Sequence, residues 1–306
     1  MKCIITGGSG FIGSHLVNYL IDDGHEVKII DTRKPVQDIE WINKDIREDL
    51  SEEFKDIDFV FHLAAVANAR KCGEDPSLAN SVNILGTQNV LEISRRCGVK
   101  RVIIASSIWV AGSQVGDTVN ENSYFDIPSV STIYGVTKIS NEMLSFAYKN
   151  EEGGPNYTVL RFGIPYGERM WRGLVVRAFM DMAENSGVIN IMGDGKQSRP
   201  FLYVGDLCRA ILLSMKPIAE NKIYNLGGSR MISVEELAEQ VVKHFPAKID
   251  FIPQARTEPK IKDVSSWLAE SELGWVPETD LKDGINRCSE WWKTLNRKEK
   301  DAEYWC

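Results

Sequence analysis

A glycine-rich turn near the N-terminus constrains the fold of this chain more than any other feature. Residues 6–13 read Thr-Gly-Gly-Ser-Gly-Phe-Ile-Gly and directly follow the short apolar run of residues 3–5. Gly7 can adopt a tight turn that a side chain would forbid, Gly10 lets the backbone approach a phosphate group, and Gly13 lets a new helix pack closely on the strand. Because free N–H groups at a helix start attract anions, this pattern predicts a dinucleotide site. Its predicted contact residues are Gly7, Gly10, Phe11, Ile12 and Gly13.

Asp31 indicates which dinucleotide the site takes. Residues 26–30 form a second predicted strand that ends at Asp31, about where an acidic side chain binds the adenosine ribose. A carboxylate accepts hydrogen bonds from both ribose hydroxyls but repels a 2′-phosphate, so the sequence favours NAD over NADP. Arg33 argues weakly for NADP because a basic side chain can reach such a phosphate, although a solvated loop charge explains it more simply.

The composition narrows the class of protein. The chain has 306 residues, a formal net charge of −7 and a pI near 5.3, which offers no basic surface for nucleic acid or an anionic membrane. No apolar run approaches the roughly 20 residues that span a bilayer, and the immediate first strand leaves no room for a signal peptide. We therefore expect a cytoplasmic protein. The six scattered cysteines predict reduced thiols rather than a metal site, with Cys3 and Cys208 buried.

The first half of the chain alternates β-rich runs with helical patterns. This alternation predicts a parallel sheet covered on both faces, a doubly wound α/β fold of the Rossmann type. We assign residues 1–163 to this NAD-binding domain, with some later segments returning to it, and residues 164–306 mainly to a smaller α/β substrate lobe. Strands are expected at 2–6, 26–31, 58–63, 101–106 and 157–162, and helices at 11–23, 76–97, 132–149, 233–245 and 281–295.

Tyr134 and Lys138 carry the predicted chemistry. They lie four residues apart on a predicted helix and share one face, so the ammonium can lie beside the phenol oxygen. Positive charge there favours the phenolate and lowers the pKa of tyrosine from about 10 toward that of a working base. Ser107 follows a predicted strand, and its hydroxyl can bridge Tyr134 and a substrate hydroxyl because it both donates and accepts.

With these motifs in place, the sequence resembles the extended short-chain dehydrogenase/reductases. Within that family it is similar to the nucleotide-sugar epimerases and dehydratases typified by UDP-glucose 4-epimerase. The resemblance runs from residue 3 to about residue 293. The matching segments are residues 6–13, 45–47, 62–65, 83–87, 106–107, 134–138, 193–199, 203–206 and 273–277.

The resemblance implies a role for each matching residue. A nucleotide-diphosphate sugar is the implied substrate, and a homodimer with paired helices near 76–97 and 132–149 is the implied assembly. Leu85, Val90, Leu91, Met143 and Phe146 would supply that interface, unless they all face the sheet. In the cofactor site, Asp45 and Ile46 would hold the adenine, and Leu63, Ala64 and Ala65 would line the groove. Asn83 would support the active site through the backbone. Ser107, Tyr134 and Lys138 would be catalytic, and Arg199 would contact the substrate diphosphate.

Two departures from the family pattern bear on the substrate. Trp109 and Ile164 replace smaller or polar residues that approach the sugar in relatives, although Trp109 can equally fill the core. Family dehydratases and decarboxylases also carry acidic residues just after the catalytic serine, where this chain has Ile108 and Trp109. Both reactions are therefore disfavoured.

The expected activity is that of an NAD-dependent nucleotide-sugar epimerase acting at C4. The sugar would be oxidised transiently to a keto sugar, and hydride would return to the opposite face. The alternatives are a keto-reductase or dehydrogenase that releases its product, and a non-catalytic NAD-sensing protein of the same fold, although such proteins usually lose the tyrosine–lysine pair.

Overall fold

A seven-stranded sheet organises the computed structural model, which describes residues 1–111, 118–123, 130–253 and 263–301. Each neighbouring pair of strands in this sheet is parallel. Counting the large sheet and the smaller strand pairs together, the strands of the described residues are β1 (Lys2–Thr6), β2 (Glu26–Ile30), β3 (Trp41–Ile42), β4 (Phe59–His62), β5 (Arg101–Ser107), β6 (Thr118–Val119), β7 (Asn156–Phe162), β8 (Ile164–Tyr166), β9 (Val188–Met192), β10 (Ser198–Arg199), β11 (Phe201–Tyr203), β12 (Lys222–Leu226), β13 (Ile232–Ser233), β14 (Lys248–Ile252) and β15 (Asp263–Val264).

The strand order of the large sheet is β12-β7-β5-β4-β1-β2-β3. The chain leaves β1 in one direction and then returns to β4 on its other side, so the order reverses between β1 and β4. In open α/β sheets, ligands bind beyond the carboxyl ends of the strands at such a reversal. The predicted doubly wound fold is confirmed, and the glycine turn lies at this reversal.

Helices cover the sheet on both faces. Ile4 and Ile5 belong to two different apolar clusters because successive strand residues point to opposite faces. No helix in the described part of the chain is long and apolar enough to span a bilayer. The helices are α1 (Phe11–Asp22), α2 (Ala69–Glu74), α3 (Pro76–Asn80), α4 (Thr87–Cys97), α5 (Ile133–Asn150), α6 (Val175–Ser186), α7 (Val204–Leu213), α8 (Val234–Val242), α9 (Leu281–Thr294) and α10 (Arg297–Asp301).

The single helix expected at 76–97 is wrong in one respect. A π-helical turn, Ser81–Gly86, separates α3 from α4. Its wider winding turns Asn83 inward, where the side chain is fully buried, and brings Gly86 against Ile46. A Cβ on Gly86 would lie 2.5 Å from the Ile46 side chain, so only glycine allows this close packing. Wide turns of this kind are common at functional sites.

The smaller lobe is built from short strand pairs and helices. Strand β8 pairs with β11, β9 with β14, and β10 with β13. Strand β12 instead joins β7 at the edge of the large sheet. The fully buried Trp275 donates its indole N–H to the carbonyl of Asp206, 2.9 Å away, and the Asp206 carboxylate accepts from the backbone of Thr279. Two of the family-like segments therefore stabilise the lobe.

The apolar helix residues that were predicted to form a dimer interface differ in their burial. Val90 and Leu91 are buried in the core, so these two residues face the sheet rather than a second copy of the chain. Leu85 and Met143 are 58% and 59% exposed. Cys3 and Cys208 are fully buried free thiols, as predicted, and Cys306 lies outside the described residues.

Replacing Trp275 with alanine should destabilise the fold strongly. The change removes a fully buried indole and its hydrogen bond, and we expect a loss of about 3–5 kcal/mol in the free energy of unfolding. Trp267→Ala is the matched control because Trp267 is 68% exposed in the same lobe, and it should change stability by less than about 0.5 kcal/mol. Urea unfolding measures both values, and equal losses would contradict the assigned role of Trp275.

Candidate active site

The glycine turn packs against the backbone that follows β4. Gly7 has φ +74°, and its N–H donates to the Ile30 carbonyl at 2.9 Å. A Cβ on Gly7 would lie 2.6 Å from the Ala64 nitrogen, and one on Gly13 would lie 2.3 Å from the Gly7 carbonyl oxygen. Both glycines are therefore required by space, as well as by conformation at Gly7.

The start of α1 has donors available for an anion. Gly10 occupies the N-cap position, and no side chain there accepts from the first N–H groups of the helix. Phe11 is buried and Ile12 half-buried beside them. Free donors at the positive end of a helix, next to a cradle that a Cβ would fill, fit a dinucleotide pyrophosphate.

Asp31 lies at the carboxyl end of β2, where the ribose was expected. Its two carboxylate oxygens accept from the backbone N–H groups of Ser9 at 3.0 Å and Arg33 at 2.9 Å. These bonds orient the carboxylate and tie it to the glycine turn. The Arg33 guanidinium contacts the same carboxylate at 3.9 Å and lies beside Gly10, so it is not only a solvated loop charge.

Asp45 and Ile46 lie further along the same edge. Ile46 is buried against Gly86, as the π-helical turn requires. The Asp45 carboxylate forms an ion pair with Arg47 at 2.7 Å, and this contact lowers the pKa of Asp45. Asn89 holds the Ile46 carbonyl at 2.7 Å. The segment is thus ordered by its own contacts.

Asn83 clamps the chain that follows β4. Leu63, Ala64 and Ala65 are half-buried there and line the edge of the reversal. The Asn83 amide accepts from the Val66 N–H at 2.7 Å and donates to the Val66 carbonyl at 3.1 Å, so it holds both sides of one residue. We predicted support from Asn83 through the backbone, and these contacts supply it.

His62 links this clamp to the glycine turn. Its two ring nitrogens lie 2.8 Å from the hydroxyls of Thr6 and Thr87, and the Thr87 hydroxyl donates to the Asn83 carbonyl. Burial, helped by the charge of Lys138, lowers the pKa of His62 to about 3. The imidazole is therefore neutral and acts as a fixed bridge between β1, β4 and α4.

Ser107, Tyr134 and Lys138 come together above the end of β5. Ser107 lies beside Tyr134, and its hydroxyl lowers the pKa of the phenol. Thr132 immediately precedes helix α5, and its side chain caps the helix by accepting from the Gly135 N–H. Lys138 is buried, with Nζ 5.7 Å from the centre of the Tyr134 ring, and it donates to the Ala105 carbonyl at 2.8 Å.

Burial dominates the charge state of this pair in the protein alone. It raises the pKa of Tyr134 to about 12, and the Ser107 hydroxyl only partly opposes this effect. Burial also lowers the pKa of Lys138 to about 8. We expected Lys138 to lower the pKa of the phenol, but in the protein alone burial raises this pKa instead. A further positive charge is therefore needed before Tyr134 can act as a base.

Two of the predicted substrate residues, Trp109 and Ile164, follow the carboxyl ends of β5 and β7, and the third, Arg199, lies on β10. Trp109 is half-buried in a 3₁₀ turn, Ile108–Ala111, with its N–H 3.3 Å from the Ser107 hydroxyl. Ile164 is half-buried and donates its N–H to the carbonyl of Pro200 at 3.0 Å. Arg199, next to Pro200, is buried and donates to the Ser198 carbonyl.

Sequence reasoning missed a buried charged pair beneath the site. Glu142 and Arg161 form an ion pair at 2.7 Å, and Ser106 bonds to the same carboxylate. Glu142 lies four residues after Lys138, so continuing the Tyr134–Lys138 spacing by one more turn would have found it.

The fold and site define a class of protein: a dinucleotide-dependent enzyme with a tyrosine–lysine–serine centre at the switch point of a doubly wound sheet. The sequence profile of the NAD dependent epimerase/dehydratase family matches residues 3–227. The chain belongs to this family, and NAD is its cofactor, as the sequence predicted.

The chain is similar to proteins named for two different reactions and to a solved structure with a bound UDP-sugar acid and NAD. The chain is 36% identical to a putative UDP-glucose 4-epimerase of Methanocaldococcus jannaschii, over 96% of this chain and 99% of that protein. It is 29% identical to UDP-glucuronic acid decarboxylase 1 of Danio rerio, over 99% of this chain and 75% of that protein. The structure of MoeE5 in complex with UDP-glucuronic acid and NAD has a TM-score of 0.89 and 27% identity, covering 96% and 99% of the two chains.

Gly7→Ala should weaken NAD binding, whereas Gly24→Ala should not. Both glycines have positive φ, so each substitution strains the backbone by about 1–2 kcal/mol. Only at Gly7 does the new Cβ meet backbone, whereas nothing lies within 4 Å at Gly24. We expect the NAD dissociation constant to rise at least about tenfold in Gly7→Ala. Calorimetric titration of both variants measures it, and equal affinities would contradict the cradle.

Proposed function

We propose that this protein is an NAD-dependent UDP-sugar epimerase that inverts C4 through a keto-sugar intermediate. The observation that carries this proposal is the placement of Tyr134 and Lys138 on one face of α5, with Lys138 Nζ 5.7 Å from the centre of the Tyr134 ring and bonded to the end of β5 that carries Ser107, beside the cradle formed by Gly7 and Gly13. Such a centre can remove a proton from a hydroxyl and later return it. The names of the relatives support a nucleotide-sugar substrate.

In this mechanism Tyr134 is the acid and base. The tyrosinate takes the proton of the sugar hydroxyl, and Ser107 orients that hydroxyl by accepting and donating hydrogen bonds. Oxidised NAD held by the glycine cradle would supply the hydride acceptor for the sugar carbon, and its positive charge would favour the tyrosinate. The keto sugar then turns in the pocket, and Tyr134 protonates the oxygen as hydride reaches the opposite face. Proton and hydride both return, so no net oxidation remains.

Lys138 supplies the fixed positive charge of the centre. Its pKa of about 8 means that the ammonium is present below that pH and is lost as the pH rises through it. Activity should therefore decline on the alkaline side when Lys138 loses its proton. The contact with the Ala105 carbonyl holds the ammonium next to Tyr134.

Two observations favour epimerisation, one against dehydration and decarboxylation and one against a protein without catalytic activity. Ile108 and Trp109 follow Ser107, and neither side chain is an acid or a base that could assist dehydration or decarboxylation. A keto-reductase or dehydrogenase, the second candidate, would release its product and exchange cofactor in each cycle. A non-catalytic sensor of NAD is disfavoured because the chain retains Tyr134 and Lys138.

Substrate binding falls to residues at the rim of the site. We propose that the Arg199 guanidinium contacts the diphosphate, for which its charge and planar geometry are suited. Trp109 and Ile164 would face the sugar and present apolar surface where relatives offer smaller or polar groups. This replacement favours a deoxy, N-acetyl or otherwise less polar sugar.

A homodimer is the assembly that we propose. Val136 and Met143 lie seven residues apart on α5, and both are exposed. Leu85 is exposed on the π-helical turn, which contacts α5. A second copy would cover these side chains by pairing the same helices across a two-fold axis.

The wild-type protein should convert a UDP-sugar into its C4 epimer without added cofactor. Product NMR identifies the epimer, and the absorbance of reduced nicotinamide should show no net change. Tyr134→Phe should still bind NAD but should lower kcat at least about a hundredfold, the scale of a lost general acid and base.

Other results would reject this assignment. Stoichiometric consumption of cofactor would indicate the reductase or dehydrogenase, and release of carbon dioxide from a UDP-sugar acid would indicate a decarboxylase. Near-normal turnover by Tyr134→Phe would remove Tyr134 from the mechanism.

Trp109→Thr should shift sugar preference toward UDP-glucose and UDP-galactose. A fully hydroxylated sugar leaves polar groups unpaired against an indole, at about 1–3 kcal/mol each. We expect the ratio of kcat/KM for hydroxylated over N-acetyl or deoxy sugars to rise roughly tenfold in the variant. Efficient use of UDP-glucose by the wild type would show instead that Trp109 only packs.

A further inference from the structure

The buried face of α5 is polar. Helices that pack on a sheet normally bury an apolar stripe, and α5 packs on β5 and β7. Leu144, Phe146 and Tyr148 of α5 also pack against the core, but the fully buried positions of the helix contact the sheet through hydrogen bonds and charges. Its buried residues are Gly135, Thr137, Lys138, Asn141, Glu142 and Ser145.

Glu142 makes the most contacts in this polar face. One carboxylate oxygen accepts from the Ser106 hydroxyl at 2.5 Å and from Arg161 Nε at 2.9 Å, and the other accepts from Arg161 Nη2 at 2.7 Å. Ser106 and Arg161 are register partners on β5 and β7. Glu142 therefore ties α5 to two adjacent strands at once, from a fully buried position.

These contacts fall on the strand segment that carries the catalytic serine. Residues 105–107 of β5 meet three residues of α5 that follow one another at intervals of one helical turn. The Ala105 carbonyl accepts from Lys138, the Ser106 hydroxyl donates to Glu142, and Ser107 lies beside Tyr134. A shift of Glu142 would therefore displace the neighbours of both catalytic hydroxyls.

We propose that Glu142 is a positioning residue for proton transfer by Tyr134: with Arg161 it holds the end of β5 against α5 and serves as the counter-charge of Lys138. The contacts stand independently, but the consequence for turnover rests on the proposed function. Glu142 touches neither substrate nor cofactor in this role.

The surroundings of Lys138 support the electrostatic part of the role. In the described part of the chain, the titratable groups facing Lys138 are His62 from β4, Cys72 from α2, and Tyr134 and Glu142 from α5. Burial lowers the pKa of Lys138, and the charges of Cys72 and Glu142 oppose this effect. Burial also raises the pKa of the Cys72 thiol, which leaves Glu142 as the negative charge at neutral pH.

The decisive experiment measures the titration of Lys138 directly. Protein labelled with ¹³C at lysine Cε is followed by NMR across the pH range, and Lys138→Met identifies the signal. In Glu142→Gln the Lys138 midpoint should fall by about one pH unit, and the alkaline limb of kcat should move with it. Glu142→Asp keeps the charge and should leave the midpoint near the wild-type value while kcat falls.

Two further variants complete the test. Glu236→Gln, which breaks the exposed pair with Arg230, is the matched control and should leave the Lys138 midpoint unchanged. If Glu142→Gln does not fold, Glu142→Gln combined with Arg161→Gln replaces it, because the guanidinium that Glu142 binds is also removed. The double variant removes one charge of each sign, but Glu142 shares a helix face with Lys138 whereas Arg161 lies on β7, so the midpoint should still fall, by less than in Glu142→Gln.

An unchanged Lys138 midpoint in either folded Glu142→Gln protein would overturn the proposal, as would an equal fall in Glu142→Asp. The titration needs no turnover. A wild-type protein that is inactive on every UDP-sugar would therefore contradict the proposed function, and the Lys138 titration would still decide whether Glu142 sets the charge of Lys138.

Discussion

Directional hydrogen bonds hold α5 against the sheet, and the geometry of the site depends on them. Apolar side chains tolerate small slides past one another, whereas hydrogen bonds weaken steeply outside a narrow range of distance and angle. Lys138 and Glu142 each meet one defined atom group on β5, so Tyr134 has one register relative to Ser107. Removing one member of a buried ion pair such as Glu142–Arg161 typically costs about 3–5 kcal/mol of stability. A different packing of α5 that separated these two side chains would therefore be strongly disfavoured.

Local patterns predict the framework of this protein well. The glycine turn, Asp31 and the tyrosine–lysine pair were placed from residue type and spacing, and the structure brings them to one edge of the sheet. Strand β12 was not predicted because it joins the sheet by pairing with β7, which lies much earlier in the chain, and local sequence patterns do not reveal such a long-range pairing. The π-helical turn was also not predicted because the sequence from Ser81 to Gly86 carries no glycine or proline until its end. Glu142 was overlooked because a search for apolar stripes passes over a buried face made of polar residues.

Electrostatics is where sequence reasoning was least complete. The spacing of Tyr134 and Lys138 correctly placed them on one face, but it could not give the depth at which they lie. Burial opposes charge on both residues, so it raises the pKa of the phenol and lowers that of the amine. The phenol therefore stays protonated at neutral pH even beside the Lys138 ammonium, so under the proposed function Tyr134 becomes a base only in the complex with oxidised cofactor.

The polar face of α5 also separates two parts of the protein that can change at different rates. Trp109 and Ile164 lie on segments beyond the ends of β5 and β7, whereas the register of Tyr134 is set by contacts deeper in the same strands. A substitution at the rim can alter the shape of the pocket without touching the bonds that align the reacting groups. Under the proposed function, single changes at Trp109 or Ile164 could therefore alter the sugar preference and leave the chemical step intact.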